Sequence, residues 1–274
     1  MVSTQTVKEI DHHPSNTPVL KFDQVGLEYR VDGQPRRIIE EISLSISKGE
    51  FVTFVGPSGC GKTSILRMIS GLAPALVGDL RYHDVPITKP LKNIGVAFQS
   101  PVLMPWRNII QNVMLPLEIV QPYKKDYKAR KSEYVKMAET LLDTVGLKDY
   151  YYQFPWQLSG GMRQRASLCR ALIHQPELLL LDEPFGALDP FTREDMWVML
   201  QSLWRQVNCS CVLITHDLRE AVFLSDTVYV MSPRPSSIIY QLKPNLPRPT
   251  TIETMLSDEF NLLVADLRRH IYRS

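Results

Sequence analysis

One short segment carries the residue types that bind a polyphosphate, G-P-S-G-C-G-K-T at residues 56–63. Its small residues let the backbone curl so that successive N–H groups point inward, and a helix that follows would direct its positive end at the same anion. Lys62 adds a mobile charge for the β- and γ-phosphates, and the Thr63 hydroxyl suits Mg²⁺. We expect the nucleotide to contact Gly56, Pro57, Ser58, Gly59, Cys60, Gly61, Lys62, Thr63 and Ser64.

The alternative for this segment is a chance glycine-rich turn. Phe51–Val55 is an apolar run typical of a strand, and residues 63–72 have helical periodicity. This is the strand–loop–helix context that a phosphate loop requires. Cys60 is not expected to do chemistry, but alkylation of a thiol so close to the phosphates should block their binding.

Two carboxylates follow a second apolar run, L-L-L-L-D-E-P at residues 178–184. Asp182 stands at a strand end, where open α/β sheets place ligand groups, and it can hold Mg²⁺ through water. Adjacent side chains at a strand end point in different directions, so Glu183 can act as general base or position a water, for a gain of roughly 10²–10⁴ in rate. The alternative is a solvated acidic pair in a loop.

His216 also comes directly after an apolar run, residues 211–215. A histidine at such a strand end can donate to a γ-phosphate or to the attacking water. A capping or internally satisfied histidine is the alternative for a lone residue. Asp217 and the preceding strand favour the functional role.

A third segment, L-S-G-G-M-R-Q-R at residues 158–165, offers a second anion site. Ser159 supplies a hydroxyl, and Gly160 and Gly161 supply backbone N–H groups at the start of a helix. This segment is not expected to belong to the pocket formed by the phosphate loop and the carboxylates. We therefore expect it to contribute to a pocket on a second copy of the protein. An ordinary serine N-cap is locally an equally good interpretation.

The elements that must position these segments alternate between strand and helix. Strands are predicted at residues 19–31, 38–46, 51–55, 94–98, 178–181, 211–215 and 227–231, with a turn at residues 32–35 between the first two. Helices are predicted at residues 63–72, 191–208 and 218–224, with a last amphipathic helix around residues 260–271. A helical stretch from Ile109 is expected to be interrupted at Pro116. The pattern predicts an α/β fold, a phosphate-loop NTPase core with a mostly parallel sheet, an N-terminal antiparallel β part and a helical insert.

The composition of the chain bears on its partners and on the compartment in which it is found. The chain has 274 residues, is 44% hydrophobic and carries a formal net charge of +2, so no strong basic field indicates nucleic acid. The sequence has no apolar run long enough to span a bilayer, and its first 18 residues, expected to form a flexible tail, lack the layout of a signal peptide. The four cysteines have neither metal-ligand nor disulfide spacing, which favours a reduced, cytosolic protein.

The chain resembles the ATP-binding cassette (ABC) ATPases over residues 19–241. The resemblance is carried by three motifs in a fixed order: the phosphate loop, L-S-G-G and L-L-L-L-D-E-P. The resemblance implies that two cassettes pack head to tail around two ATP molecules, so that Ser159, Gly160 and Gly161 contact the γ-phosphate held by the partner's Lys62. It also implies a division into a tail at residues 1–18, an ATPase domain at 19–243 with its helical subdomain at about 100–157, and a helical extension at 244–274.

Three further roles come from the resemblance alone. Gln99 matches the glutamine that touches Mg²⁺ and the attacking water and senses a transmembrane partner. Asp189 matches the loop that crosses the dimer interface, although Asp189 before Pro190 is also a good helix N-cap. Tyr29 matches the aromatic residue that stacks on adenine, and Phe22 and Tyr82 are alternatives for it. Met162 departs from the glutamine that many cassettes have after L-S-G-G, without removing a phosphate ligand.

The apolar segment at residues 100–113 looks like a docking surface for a short permease helix, with Trp106 as its anchor. The alternative is that Leu103, Met104 and Trp106 pack within the helical insert. L-M-P-W-R-N-I together with L-S-G-G-M-R-Q-R resembles the importer branch for nitrate, sulfonate and taurine, which also includes carriers of pyrimidine vitamin precursors.

The resemblance therefore implies an ATP- and Mg²⁺-dependent subunit of a bacterial importer for a small anion. Its implied partners are an identical second cassette, integral membrane permease subunits and, indirectly, a periplasmic solute-binding protein. Its implied location is the cytoplasmic face of the inner membrane. The rivals are a soluble cassette ATPase of DNA repair or translation and a non-enzymatic nucleotide-gated scaffold. The last helix is expected to pack on the core, the alternative being lipid contact through Arg268, Arg269 and Arg273.

Overall fold

Strands and helices alternate along most of the chain in the computed structural model, which describes residues 15–31 and 34–272. The strands are β1 (Ser15–Val31), β2 (Gln34–Lys48), β3 (Phe51–Val55), β4 (Val77–Tyr82), β5 (Val85–Pro86), β6 (Ile94–Ala97), β7 (Leu178–Asp182), β8 (Ser210–Ile214), β9 (Thr227–Met231) and β10 (Ile238–Leu242). The helices are α1 (Lys62–Ile69), α2 (Ile109–Ile119), α3 (Tyr123–Asp126), α4 (Lys131–Thr144), α5 (Gly160–Leu172), α6 (Pro190–Val207), α7 (Leu218–Leu224) and α8 (Asp258–Tyr272).

The apolar runs form a six-stranded sheet with the order β10-β9-β3-β8-β7-β6. Every neighbouring pair is parallel except β10 with β9, as the predicted mostly parallel sheet requires. The sheet is buried on both faces, because successive residues of β3, Phe51 and Val52, belong to different hydrophobic clusters. The parallel strands end at one edge, which brings the residues that follow β3, β6, β7 and β8 together.

A second, antiparallel sheet has the order β2-β1-β4-β5 and confirms the predicted N-terminal β part. Its apolar face packs on α1 and on the central sheet, in a cluster that contains Ile39, Phe54 and Ile65. β1 begins at Ser15, four residues before the predicted start. Residues 1–14 of the predicted tail, and Asp32 and Gly33 of the predicted turn, lie outside the described residues.

The helical insert between β6 and α5 consists of α2, α3 and α4. The expected interruption at Pro116 is wrong, since α2 continues to Ile119 and the Val120 N–H bonds to the Pro116 carbonyl. Proline removes one helical hydrogen bond, but Val113 and Leu117 are fully buried in the cluster that α2 shares with α4 and α5. Burial of this face outweighs the lost bond.

Strands β4, β5 and β10 were not predicted from the sequence. β4 exposes much of its surface, and β10 alternates between half-buried and exposed residues, so neither has a strong apolar pattern. The last helix packs on the core as expected, with Phe260 and Leu267 completely buried. Arg273 lies outside the described residues. Within residues 15–31 and 34–272, no helix has the length and apolar character needed to traverse a bilayer.

Candidate active site

The loop after β3 has the geometry of a phosphate cradle. Gly61 precedes α1 with φ of +108°, and a Cβ there would lie 3.1 Å from Ile38 Cγ2, so the loop needs glycine at this position. Lys62 is 6% exposed, and its ammonium donates to the carbonyls of Gly56 and Pro57, both at 2.9 Å. The two carbonyl bonds hold the charge at the loop, where an incoming phosphate oxygen would compete for it.

Cys60 faces the protein interior. The residue is 1% exposed, its Sγ lies 3.9 Å from Lys62 Nζ, and burial raises the pKa of the thiol. The Ser236 hydroxyl donates to the Cys60 carbonyl and so ties the loop to the segment between β9 and β10. That alkylation would block phosphate binding stays a prediction. Because a buried thiol with a raised pKa reacts slowly, a reagent would first have to open the loop.

Thr63 and Asp182 lie together at the mouth of the loop. The Thr63 hydroxyl donates to Asp182 Oδ1 at 3.2 Å. Burial raises the pKa of the Asp182 carboxyl, and the bond from Thr63 opposes that rise. The described residues contain no group of three or more His, Cys, Asp or Glu suited to a metal. One hydroxyl and one carboxylate fit Mg²⁺, which is held by few protein oxygens when substrate phosphates complete its shell.

Glu183 and His216 approach each other from adjacent strand ends. Glu183 has a φ of +45°, a conformation that is rare for non-glycine residues and costs about 1–3 kcal/mol. Its N–H donates to the Ile214 carbonyl at 2.8 Å, and its Oε2 lies 3.1 Å from His216 Nδ1. The His216 side chain is 56% exposed and the Glu183 side chain 25%, so both can meet a ligand.

Gln99 joins the same group of residues. A Cβ on Gly186 would lie 3.6 Å from Gln99 Nε2 and 3.7 Å from Glu183 Oε2, so the two side chains flank that glycine. A cleft of about 300 Å³ is lined by Gln99, Gly160 and Leu188 among others. The cleft therefore separates the segment after β6 from the start of α5 and from the loop before α6.

Ser159 and Asp189 both cap helices. The Ser159 side chain accepts from the Met162 N–H at 3.3 Å, and the Asp189 side chain accepts from the Thr192 N–H at 3.0 Å. The hydrogen bond from Thr192 lowers the pKa of the Asp189 carboxyl. A Cβ on Gly160 would meet nothing within 4 Å. The capping alternatives are thus present, and the helix start at Gly160 is open to a ligand from outside the protomer.

Tyr29 is the best placed of the three aromatic candidates for adenine. It is 38% exposed and pairs across the hairpin with Arg36, two residues from Ile38, which contacts the Gly61 position. Phe22 is buried in the core. The Tyr82 hydroxyl donates to Glu177, and Tyr82 pairs with Leu20, nine residues along β1 from Tyr29, a separation of roughly 30 Å. The stacking role of Tyr29 stays a prediction.

The segment at residues 100–113 contains both buried residues and an exposed tryptophan. Leu103 is 8% exposed and packs inside, whereas Trp106 is 72% exposed. Trp106 and Tyr152 line a groove of about 580 Å³ on the helical insert. Packing within the insert therefore accounts for Leu103, whereas most of the Trp106 surface stays exposed.

Sequence reasoning missed residues that position the site from a distance. Besides Ser236, these are Gln164, whose amide donates to the Phe98 carbonyl at 3.4 Å, and Arg193, which binds Asp217 at 2.9 Å. Each bond joins residues far apart in the chain. A short-range pattern gives no signal for such contacts, and only the topology of the sheet brings them together.

Comparison with known proteins gives a consistent set of similarities. A family model described as ABC transporter matches residues 39–186. The taurine import ATP-binding protein TauB of Yersinia pestis bv. Antiqua (strain Antiqua) is 42% identical over 220 residues, covering 80% of this chain and 83% of the relative. The aliphatic sulfonates import ATP-binding protein SsuB of Bacillus cereus (strain ATCC 10987 / NRS 248) is 38% identical over 230 residues, covering 84% and 88%.

Solved structures are similar in fold. The dimeric, post-hydrolysis state of the ATP-binding cassette MJ0796 bound to ADP and Pi has 26% identity and a TM-score of 0.70, covering 83% of this chain and 100% of that one. The cbiO1 chain from Clostridium perfringens, part of the ABC transporter complex cbiONQ, has 22% identity and a TM-score of 0.73, covering 93% and 97%. At that lower identity, the second likeness concerns the fold alone.

Proposed function

The chain belongs to the ABC transporter family, and we propose that it is the ATP-hydrolysing, energy-coupling subunit of a bacterial importer for a small sulfonate such as taurine. The observation that carries the chemistry is the convergence of Lys62, Glu183 and His216 at one edge of the central sheet, with Glu183 Oε2 3.1 Å from His216 Nδ1. The cargo class rests on the named functions of the taurine and sulfonate relatives.

The site residues divide the hydrolysis between them. Lys62 and the loop N–H groups hold the β- and γ-phosphates, and Glu183 takes a proton from water as the water oxygen attacks the γ-phosphorus. The bond from that phosphorus to the bridging oxygen breaks and leaves ADP. His216 donates to the γ-phosphate oxygens where charge develops. Thr63, Asp182 and Gln99 would hold Mg²⁺, which supplies neutralisation of phosphate charge when bound.

A second copy completes the site in this proposal. Ser159, Gly160 and Gly161 begin α5 with N–H groups that favour an anion, and the open surface at Gly160 leaves room for the γ-phosphate held by the partner's Lys62. The Asp189 loop meets the same partner. ATP then stabilises the closed pair over the open pair, and loss of the γ-phosphate removes that difference.

The groove at Trp106 and Tyr152 is the proposed contact with the membrane permease. Asn112, which is completely buried, accepts from the Met104 N–H at 2.7 Å and donates to the carbonyls of Met104, Arg107 and Asn108. The loop that presents Trp106 is therefore fixed in shape. An exposed aromatic ring on a rigid loop is typical of interface anchors.

The partners and location follow from this role. They are integral membrane permease subunits, a periplasmic solute-binding protein reached through them, and the cytoplasmic face of the inner membrane. The proposal includes no nucleic-acid partner. The division into residues 1–18, 19–243 and 244–274 is part of the same proposal.

Gene replacement in the source bacterium tests the function. Deletion should abolish growth with taurine or an alkanesulfonate as sole sulfur source, and the wild-type gene should restore it. Lys62→Ala should fail to restore growth, whereas Lys92→Ala, a matched change at an exposed lysine, should succeed.

Other outcomes assign another role. Loss of growth only with nitrate, or only with a pyrimidine vitamin precursor, would change the cargo. A defect on every nutrient would support a soluble cassette ATPase of DNA repair or translation. A purified wild-type protein that binds ATP but releases no phosphate in steady state would support a nucleotide-gated scaffold.

A further inference from the structure

Arg193, the fourth residue of α6, joins two segments of the protomer to which the proposed function gives roles. Its Nη1 donates to Asp217 Oδ2 at 2.9 Å, and its Nη2 donates to the Leu188 carbonyl at 2.9 Å. The side chains of this ion pair are only 22% and 19% exposed. One rigid guanidinium thus connects the loop before α6 to the first residue of the turn that starts α7.

The two ends of this bridge carry different parts of the proposed mechanism. Leu188 lies next to Asp189, in the loop that meets the second copy. Asp217 lies next to His216, which is 3.1 Å from Glu183. A displacement of the loop by the partner would therefore reach the reacting phosphate through Arg193.

Neither helix needs Arg193 in order to begin. The Asp189 side chain caps α6, and Pro190 occupies its first turn. Asp217 caps α7 with Oδ1, which accepts from the N–H groups of Arg219 and Glu220 at 2.9 and 3.3 Å. The second carboxylate oxygen, Oδ2, is left for Arg193.

The two bonds of the bridge do not use every donor of the Arg193 guanidinium. Its Nε is buried and has no hydrogen-bond partner among the described residues. The guanidinium therefore leaves one donor unsatisfied while its two terminal nitrogens join separate segments.

We propose that Arg193 is a positioning residue that couples the approach of the second copy at the Asp189 loop to the placement of His216 against the γ-phosphate. The inference rests on the proposed function. It assigns Arg193 no contact with ATP, so the affinity for ATP should not depend on Arg193 while the rate of hydrolysis should.

The test compares steady-state kcat and KM for ATP in the purified full chain. Arg193→Met should lower kcat by about 10- to 100-fold with KM for ATP within about twofold, because a small misplacement of a reacting group costs rate rather than ground-state binding. Arg193→Lys keeps the charge but not both bonds, and should recover part of kcat. Arg205→Met, on the same helix, is the matched control and should keep wild-type kcat.

A second variant identifies the bond that matters. Asp217→Asn keeps an oxygen for the α7 cap but weakens the ion pair, so it should lower kcat like Arg193→Met, and the double variant should be no slower than either. If Arg193→Met fails to fold, Asp217→Asn alone tests whether the ion pair contributes to kcat. Wild-type kcat in Arg193→Met, or multiplied losses in the double variant, would overturn the inference. Absence of hydrolysis by the wild-type chain would instead overturn the proposed function.

Discussion

Glu183 combines a strained backbone with the carboxylate that is proposed to accept the proton of water. Its φ is +45°, and its Oε2 lies 3.1 Å from His216 Nδ1. Glu183→Gln keeps the shape but cannot accept the proton of water, so phosphate release should fall by roughly 10²–10⁴ while ATP binding and ATP-driven association remain. Steady-state phosphate release measures the hydrolysis rate, and light scattering measures the ATP-driven association. Glu177→Gln, an exposed carboxylate bonded to His83, should hydrolyse normally, and near-normal turnover in Glu183→Gln would remove Glu183 from its role.

Glu220, behind His216, makes stability depend on pH. Burial raises the pKa of its carboxyl from 4.5 to about 8, Asp217 and Glu183 reinforce the rise, and the Thr215 hydroxyl and Arg193 oppose it. The folded protein therefore keeps a proton that the unfolded chain loses above pH 4.5, so this residue makes stability fall as pH rises from there to about 8.

Glu220→Gln removes that dependence and keeps an acceptor for Thr215. Urea unfolding at pH 6 and at pH 8.5 should show a larger loss of unfolding free energy for the wild type than for Glu220→Gln. Equal losses in the two proteins would show that Glu220 is ionised in the folded state.

At the scale of elements, the strands that end in functional residues could be predicted from the sequence. Phe51–Val55 and the apolar residues of β7 form short unbroken apolar runs, and each stops at a residue that could bind phosphate or metal. The half-exposed β4 and β10 lack such a pattern, and Pro116 indicated a helix break that tertiary packing prevents. The bridge from Arg193 to Asp217 depends on the relative placement of α6 and α7, which no local pattern encodes.

Two glycines near opposite ends of α5 allow a packing defect to be distinguished from a defect in association. A Cβ on Gly95 in β6 would lie 2.3 Å from the Ala171 carbonyl oxygen, so β6 and α5 would have to move apart. Gly95→Ala should lower the free energy of unfolding by about 1–3 kcal/mol. Gly160→Ala adds a methyl group to open space and should leave that free energy unchanged, while it weakens ATP-dependent association of two copies. Equal stability of both variants would contradict the packing argument.

For the whole molecule, Trp106 is where the ATPase would meet a membrane partner. Trp106→Ala should unfold at the wild-type temperature, because the ring is 72% exposed, yet should fail to restore growth on the transported solute. Leu256→Ala, which truncates a side chain that is 76% exposed at a distant turn, should restore growth. Normal growth with Trp106→Ala would place the permease contact elsewhere.

The sharing of ATP between two copies can be tested by mixing two defective proteins. Lys62→Ala damages the phosphate loop. Gly160→Asp puts a carboxylate at the start of α5, where it suits the helix dipole but repels a triphosphate. With Glu183→Gln added to both to prevent hydrolysis, neither protein alone can form a complete composite site, so neither should associate in ATP.

A mixed pair regains one complete site, because an intact phosphate loop from one copy faces an intact Ser159–Gly161 segment from the other. Mixing should therefore produce ATP-dependent dimers that contain one copy of each, detected by energy transfer between differently labelled chains. If each protomer bound and used ATP alone, mixing would change nothing. Each protein keeps intact the segment that is damaged in the other. Association can therefore be restored only if one site takes its two halves from two copies.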